Sequence, residues 1–216
     1  MTDTTDTDSR TAPTAEAAAP EAPAPSKTFW EQFAQRARVP AGTALGVVFL
    51  VFMHPSARSL YIGGVFALAG ALVRLWAAGH IEKRVRLAQS GPYAFTRNPL
   101  YFGSFFMALG VILAGQGYWL LPFFALFFFG VYFPVMRAEE QDLLAVYGGE
   151  FADYARRVPL FVPRPSPGGG GGGGAREAKF RWSRVRRNRE HRNLASLLAV
   201  ALILVARYFI ERHLFR

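Results

Sequence analysis

The sequence contains no cysteine, which excludes disulfides, thiolate nucleophiles and cysteine-held iron–sulfur clusters. Its four histidines, His54, His80, His191 and His213, are scattered and lack the spacing of zinc ligands. The chemistry open to such a chain is therefore that of carboxylates, guanidinium groups, hydroxyls and backbone groups, and we expect no metal site.

Acidic residues are also scarce, because 15 Asp and Glu stand against 25 Lys and Arg, a formal net charge of +10. Such an excess is typical of proteins that bind nucleic acid or anionic membranes, and of the cytoplasmic flanks of membrane spans. The sequence has no recognised nucleic-acid-binding module, and its basic residues lie beside hydrophobic segments. This placement favours the lipid bilayer as partner, and no nucleic acid is expected.

Hydrophobic residues make up 51% of the chain and are concentrated in a few segments. A helix needs roughly 20 apolar residues to cross a bilayer. The runs 59–79 and 118–136 approach that length, and the run 41–53 fits either a span or one arm of a half-buried hairpin. Together with a run after Pro99 and the C-terminal segment 193–212, they predict an all-α fold. It is a polytopic transmembrane helical bundle of about five spans, with short cytoplasmic interfacial helices.

Polar segments divide the chain further. Residues 1–27 lack apolar periodicity and a signal-peptide pattern, so they predict a disordered N-terminal tail. The hydrophobic core of about four spans extends over 40–163, followed by a Pro/Gly-rich linker at 164–175. The basic segment 176–192, with eight Lys or Arg, is typical of a cytoplasmic flank of the last span, 193–212, and of contact with anionic lipid.

Positive charge predicts the orientation of the spans. The loop 80–98 contains four Lys or Arg, and Arg36 and Arg38 precede the first hydrophobic run. We therefore expect a multi-pass protein whose N-terminus and 80–98 loop are cytoplasmic and whose C-terminus lies on the opposite side.

One candidate site lies where a polar turn meets a hydrophobic helix, in the segment GPYAFTRNPLYFG at 91–103. Pro99 suits the first turn of a helix, because its missing N–H would have no helical partner there. The free N–H groups of that turn and the Arg97 guanidinium together can hold an anion. Glu139 and Glu140 directly follow the fourth run, and they are either a solvated flank or contacts for a ligand with an amino group and hydroxyls.

Arg74 lies inside the second hydrophobic run, five residues before Gly79. Ionisable groups within spans are costly and often functional. Two interpretations stay open: an anchor that extends to the membrane surface, and a cation that faces the interior of the bundle.

The order of these motifs resembles that of the membrane-embedded isoprenylcysteine carboxyl methyltransferase and phospholipid methyltransferase superfamily. The likeness covers about residues 60–163, through GPYAFTRNPLYFG, the glutamate pair and VYGGEFADYARRVPLFVP in that order. The superfamily usually has Arg-His-Pro-x-Tyr-x-Gly, and here Asn98 stands where that pattern has histidine. The segment around Gly148 and Gly149 also departs slightly from the pattern.

The resemblance implies that S-adenosylmethionine binds at the cytoplasmic face and that a methyl group passes to a lipophilic acceptor. That acceptor would be an isoprenylcysteine carboxylate-like or a phospholipid amine-like molecule. The expected catalytic residues are Arg97 and Glu139. The expected cofactor-binding residues are Tyr93, Arg97, Asn98, Pro99, Tyr101, Gly103, Glu139, Glu140, Tyr147 and Tyr154.

Two other functions fit parts of the sequence. The first is an NADPH-dependent membrane reductase with a related helical core. The second is a non-catalytic membrane adaptor that acts through the basic segment 176–192. Binding of NADPH would favour the first, and indifference of the function to replacement of Arg97 or Glu139 would favour the second.

Overall fold

The computed structural model of the protein describes residues 29–82, 86–168 and 179–214. Regular structure within these ranges is helical, which confirms the predicted all-α fold. The predicted tail at 1–27 and most of the 164–175 linker lie outside the described residues. The α-helices are α1 (Phe29–Phe52), α2 (Ala57–His80), α3 (Pro99–Ala114), α4 (Leu121–Phe127), α5 (Phe133–Arg157), α6 (Trp182–Arg187) and α7 (Glu190–Leu214).

Among the described residues, three helical stretches are long and apolar enough to cross a membrane, namely Ala57–His80, Tyr118–Arg157 and Glu190–Leu214. Two shorter apolar helices, Pro40–Phe52 and Pro99–Ala114, accompany them. The chain is therefore a membrane protein with a helical bundle, as its hydrophobic pattern predicts.

The helices α2 and α3 pack against each other through glycines. A Cβ atom on Gly70 would lie 2.5 Å from the carbonyl oxygen of Gly103, and a Cβ on Gly103 would lie 2.6 Å from Cγ of Arg74. Nearer the other end of the two helices, a Cβ atom on Gly63 would lie 2.3 Å from the carbonyl oxygen of Gly110. Small residues let the two backbones approach closely, as is common between membrane helices. This contact fixes the position of Arg74 relative to α3.

The fourth hydrophobic run is not one regular helix. A π-helical segment, Phe128–Tyr132, separates α4 from α5, and Pro134 lies in the first turn of α5. Beyond the predicted end of this run at residue 136, α5 continues to Arg157. The adjacent glycines Gly148 and Gly149 predict a break in this helix, and the structure has a kink there, where Gly148 has φ 51° and ψ −124°. The helix that leaves the span therefore continues past Glu139 and Glu140 as far as Gly148 before its direction changes.

The C-terminal helices fold back onto α2. The backbone N–H of Arg181 donates to the carbonyl of Gly79 (3.1 Å), and the Asn188 side chain donates to the carbonyl of Ala78 (2.9 Å). The described part of the basic segment, 179–192, is thus attached to the C-terminal end of α2. We call the end of the bundle formed by His80, Pro99 and Glu190 the site end.

Candidate active site

Two segments far apart in sequence meet at the site end. The backbone N–H of Arg97 donates to the carbonyl of Pro159 (2.9 Å), and the Thr96 hydroxyl donates to the carbonyl of Phe161 (2.9 Å). The Asn98 side-chain amide donates to the carbonyl of Leu160 (3.1 Å). These bonds hold the loop before α3 against the loop after α5, so that both parts of the motif form one structure.

Arg97 and Glu140 form an ion pair inside this structure. Arg97 Nε lies 2.9 Å from Glu140 Oε1, and each side chain is only 12% exposed. Both atoms are buried, and each lies against the opposite charge of the other. The ion pair thus joins the loop before α3 to α5.

The neighbouring Glu139 is placed differently. Successive residues on an α-helix point about 100° apart, so the two carboxylates leave α5 in different directions. Glu139 is exposed, and its Oε1 accepts a hydrogen bond from the Tyr101 hydroxyl (2.7 Å). Tyr101 lies in the first turn of α3, so the Tyr101–Glu139 bond links that turn to α5 beside the Arg97–Glu140 pair.

Tyr93 contributes a buried hydroxyl to the same region. Its side chain is buried, and the hydroxyl has no hydrogen-bond partner among the described residues. Burial raises the pKa of Tyr93, and the neighbouring Tyr154 raises it further. The hydroxyl therefore stays protonated. An unpaired buried hydroxyl costs about 1–3 kcal/mol, so its presence here needs a reason.

Arg74 faces the interior of the bundle, the second of its two interpretations. Arg74 Nη2 lies 2.7 Å from Glu190 Oε1, and the side chains are 16% and 5% exposed. The same guanidinium donates to the carbonyl of Leu100 (3.1 Å) and to the Ser104 hydroxyl. Glu190 is not among the residues that the sequence motifs single out. Its position immediately before a span, in a predominantly basic segment, is the signal that could have revealed it.

A cavity of about 400 Å³ lies next to these groups, between α1, α3, α4 and α7. Arg74, Ser104 and Asn193 line one part of it, and aliphatic and aromatic side chains line the rest. The ring of Tyr132, which also lines it, lies 5.7 Å from the ring of Tyr101 between centroids. The ring of Tyr132 therefore stands between the cavity and Tyr101, the residue that bonds Glu139.

Other residues expected at the cofactor support the fold of the site. Tyr154 is buried, and its hydroxyl donates to the carbonyl of Tyr93 (2.8 Å), while Tyr147 packs partly buried against the same cluster. Pro99 is fully buried in the first turn of α3, and Gly103 lies in the α2–α3 contact. The structure thus gathers Tyr93, Arg97, Tyr101, Glu139 and Glu140 around one region, and gives Asn98, Pro99, Gly103, Tyr147 and Tyr154 contacts within the fold.

Residues 73–150 match the family model described as phospholipid methyltransferase. The matched range includes Arg74, Arg97 and both glutamates, and it ends before Tyr154. The match confirms the resemblance drawn from the motifs.

Two curated proteins are similar to part of the chain. The nickel-cobalt-cadmium resistance protein NccN of Alcaligenes xylosoxydans xylosoxydans is 37% identical over 113 residues, which cover 51% of this chain and 53% of NccN. The cobalt-zinc-cadmium resistance protein CzcN of Cupriavidus metallidurans is 39% identical over 95 residues, 43% of this chain and 44% of CzcN. The chain thus spans about half the length of the curated relatives it matches. No solved structure matches it.

Proposed function

We propose that this membrane protein, whose residues 73–150 carry the phospholipid methyltransferase pattern, transfers a methyl group from S-adenosylmethionine to a lipophilic acceptor. The observation that carries the proposal is the set of polar groups that the structure gathers at the site end. The Tyr93 hydroxyl is buried without a hydrogen-bond partner among the described residues, and the shielded Arg97–Glu140 ion pair lies beside the Tyr101–Glu139 hydrogen bond. A buried hydroxyl is nearly always paired, so an unpaired one in this polar region favours a polar ligand.

The residues present fit this cofactor. Its carboxylate suits the Arg97 guanidinium, which can donate two parallel hydrogen bonds. Its ammonium group and ribose hydroxyls suit the Glu139 and Glu140 carboxylates, and the Tyr93 hydroxyl adds a neutral donor. Arg97 has a further hydrogen bond to the carbonyl of Ala155 (3.4 Å), which holds it beside Glu140. When bound, the cofactor supplies a methyl group that is already activated by its sulfonium.

The protein's own part in the reaction is therefore alignment and control of protons. Arg97 and Glu140 hold the loop before α3 against α5, and alignment of this kind can supply several kcal/mol of a barrier. Glu139, oriented by the Tyr101 hydroxyl, is the carboxylate placed to contact the ammonium group of the cofactor and, where the acceptor is an amine, to accept the proton that the amine releases. A carboxylate acceptor is already deprotonated and needs no base. The apolar cavity beside Tyr101 provides a water-poor route for a lipid-borne acceptor.

The experiment is transfer of radiolabelled methyl groups. The full chain, purified in detergent and returned to vesicles of bacterial polar lipids that also contain a 16-carbon fatty acid, is incubated with methyl-labelled S-adenosylmethionine, and label is counted in the lipid extract. We expect label in lipid with the wild type and at least a tenfold loss with Glu139→Gln. Asp142→Asn, on the same helix, is the matched control. Label that is equal in wild type and Glu139→Gln would contradict the assigned role.

A second proposal concerns metal tolerance, because NccN and CzcN are named for metal resistance. Methyl esterification of a lipid carboxylate removes a negative charge and with it part of a membrane's attraction for divalent cations. We propose that the chain contributes to tolerance in this way. In a host that lacks its own copy, wild type but not Glu139→Gln is expected to improve growth at raised cadmium. Equal growth with both would contradict it.

A further inference from the structure

The helix α7 lies outside the segment 73–150 that carries the family pattern, yet it forms one wall of the cavity. We propose that α7 is the specificity-determining wall of the acceptor site, and that the cavity takes the single hydrocarbon chain of the acceptor. This inference rests on the proposed function, since it assigns the acceptor to one place in the bundle.

The side chains of α7 that face the bundle form one stripe. Asn193, Ser196, Leu197 and Val200 line the cavity, and Leu204 is buried beyond them. Their spacing of three and four residues places them on one face of a helix. The stripe is polar near the site end and apolar further along, which matches an amphiphile whose headgroup lies at the site end.

The remaining walls agree with this polarity. Arg74 and Ser104 lie with Asn193 at the site end of the cavity, whereas Phe124 and Leu120 lie towards the other end. A volume of about 400 Å³ is near the lower end of the roughly 300–1,000 Å³ that small-molecule sites occupy. The size favours one hydrocarbon chain over the two chains of a diacyl lipid.

The cavity begins one helical turn of α3 from the proposed reaction site, because Ser104 lines it and Tyr101 precedes Ser104 by three residues. The rings of Tyr132 and Tyr101 are in contact across the boundary, and the Tyr101 hydroxyl bonds Glu139. On α3, Tyr101, Ser104 and Ala108 follow at helical spacing, so one face of this helix runs from the Tyr101–Glu139 bond into the cavity. A chain inside the cavity would thus place its headgroup beside Arg74 and Ser104, one helical turn from the Tyr101–Glu139 bond.

Arg74 holds this wall in place. Its guanidinium donates to Glu190 on α7 and to Leu100 and Ser104 on α3. One side chain of α2 therefore fixes the distance between α7 and α3 at the polar end of the cavity. Since α7 is otherwise largely exposed along its length, this junction sets the position of the wall.

The test uses a 16-carbon fatty acid with a photoreactive diazirine in its chain, crosslinked to the full-length protein in lipid nanodiscs. Crosslinked residues are identified by mass spectrometry. Val200→Trp fills the cavity, and Leu202→Trp, on the exposed face of the same helix (61% exposed), is the matched control. We expect crosslinks in the cavity-lining residues of α7 and α4, at least a fivefold loss with Val200→Trp and no loss with Leu202→Trp.

Crosslinks spread evenly over the exposed faces, or equally reduced by both variants, would overturn the inference. Binding of S-adenosylmethionine is measured on the same samples. We expect Val200→Trp to bind the cofactor as the wild type does, which shows that the variant is folded. Cavity crosslinks in a protein without cofactor binding would overturn the proposed methyl transfer while leaving the cavity assignment intact, so the two failures are distinguishable.

Discussion

Arg74 of α2 and Glu190 of α7 form an ion pair of 2.7 Å although they are 116 positions apart in the sequence. The pair couples the helix appended after the linker to the segment that carries the family pattern. Both side chains are largely shielded, so removal of one leaves the other charge without its partner in a medium of low dielectric.

We expect Glu190→Ala to lower stability by about 3–5 kcal/mol, the usual cost of breaking a buried pair from one side. The double variant Arg74→Met with Glu190→Leu should recover most of this loss, because no charge is then left unpaired. Thermal unfolding in detergent measures both. Asp153→Ala is the control, since its pair with Arg156 is exposed and worth about 0–1 kcal/mol. Equal effects of Glu190→Ala and Asp153→Ala would refute the coupling.

Tyr93→Phe should change stability and ligand binding in opposite directions. The variant removes a buried hydroxyl that has no partner among the described residues, so the ligand-free protein is expected to gain about 1 kcal/mol. The same hydroxyl is a proposed cofactor contact, so affinity for S-adenosylmethionine should fall by about tenfold. Unfolding and calorimetric titration on one preparation check both. A less stable variant with unchanged affinity would show that the hydroxyl serves the fold.

Gly70→Ala should disrupt the contact between α2 and α3. The added methyl group would lie 2.5 Å from the carbonyl oxygen of Gly103, so the helices must separate, at a cost of about 1–3 kcal/mol. Gly64→Ala is a matched control on the same helix, because a Cβ at Gly64 meets nothing within 4 Å. Differential thermal unfolding compares them. Similar midpoints for the two variants would contradict the tight α2–α3 contact.

The attachment of α6 to the site end should depend on pH through Glu82. Burial raises the pKa of this carboxyl, but its hydrogen bond to Arg184 and the charges of Arg184, Arg86 and Arg187 outweigh that effect and lower it. A lowered pKa in the fold means that the stabilisation is present above the ordinary value of 4.5 and is lost as pH falls below it.

Accordingly, Glu82→Gln should lower the unfolding midpoint near pH 7, and the difference from wild type should shrink as pH is lowered below 4.5. Unfolding scans of both proteins between pH 3 and pH 7 measure this difference. A gap that grows on acidification would mean that Glu82 does not stabilise the fold as a carboxylate.

The sequence was sufficient to predict an all-α fold, because continuous apolar segments long enough to span a bilayer satisfy their backbone hydrogen bonds as helices. It also located the kink at Gly148 and the motif loop at 91–99, since Gly and Pro act through local backbone geometry. It could not show which glutamate pairs with Arg97. That choice depends on the 100° step between Glu139 and Glu140 and on the angle at which α5 enters the site.

The sequence also could not predict that Arg74 pairs with Glu190, because a contact between residues far apart in the chain produces no periodic pattern in a single sequence. The charge pattern of 176–192 predicted only a basic flank, whereas the structure buries Arg184 and Glu190 from that range against α2. The sequence likewise did not predict the π-helical segment Phe128–Tyr132, whose first and last residues line the cavity.

The most direct test of the central claim is calorimetric titration of S-adenosylmethionine into the full-length protein in detergent, with Arg97→Ala and Arg137→Ala as a matched pair. Both arginines pair with Glu140, but Arg97 is only 12% exposed whereas Arg137 is 55% exposed. NADPH is titrated as the competing cofactor. We predict micromolar binding of S-adenosylmethionine that Arg97→Ala abolishes and Arg137→Ala largely retains, with no heat from NADPH. A folded wild type that binds NADPH or neither molecule would contradict the proposed methyl transfer.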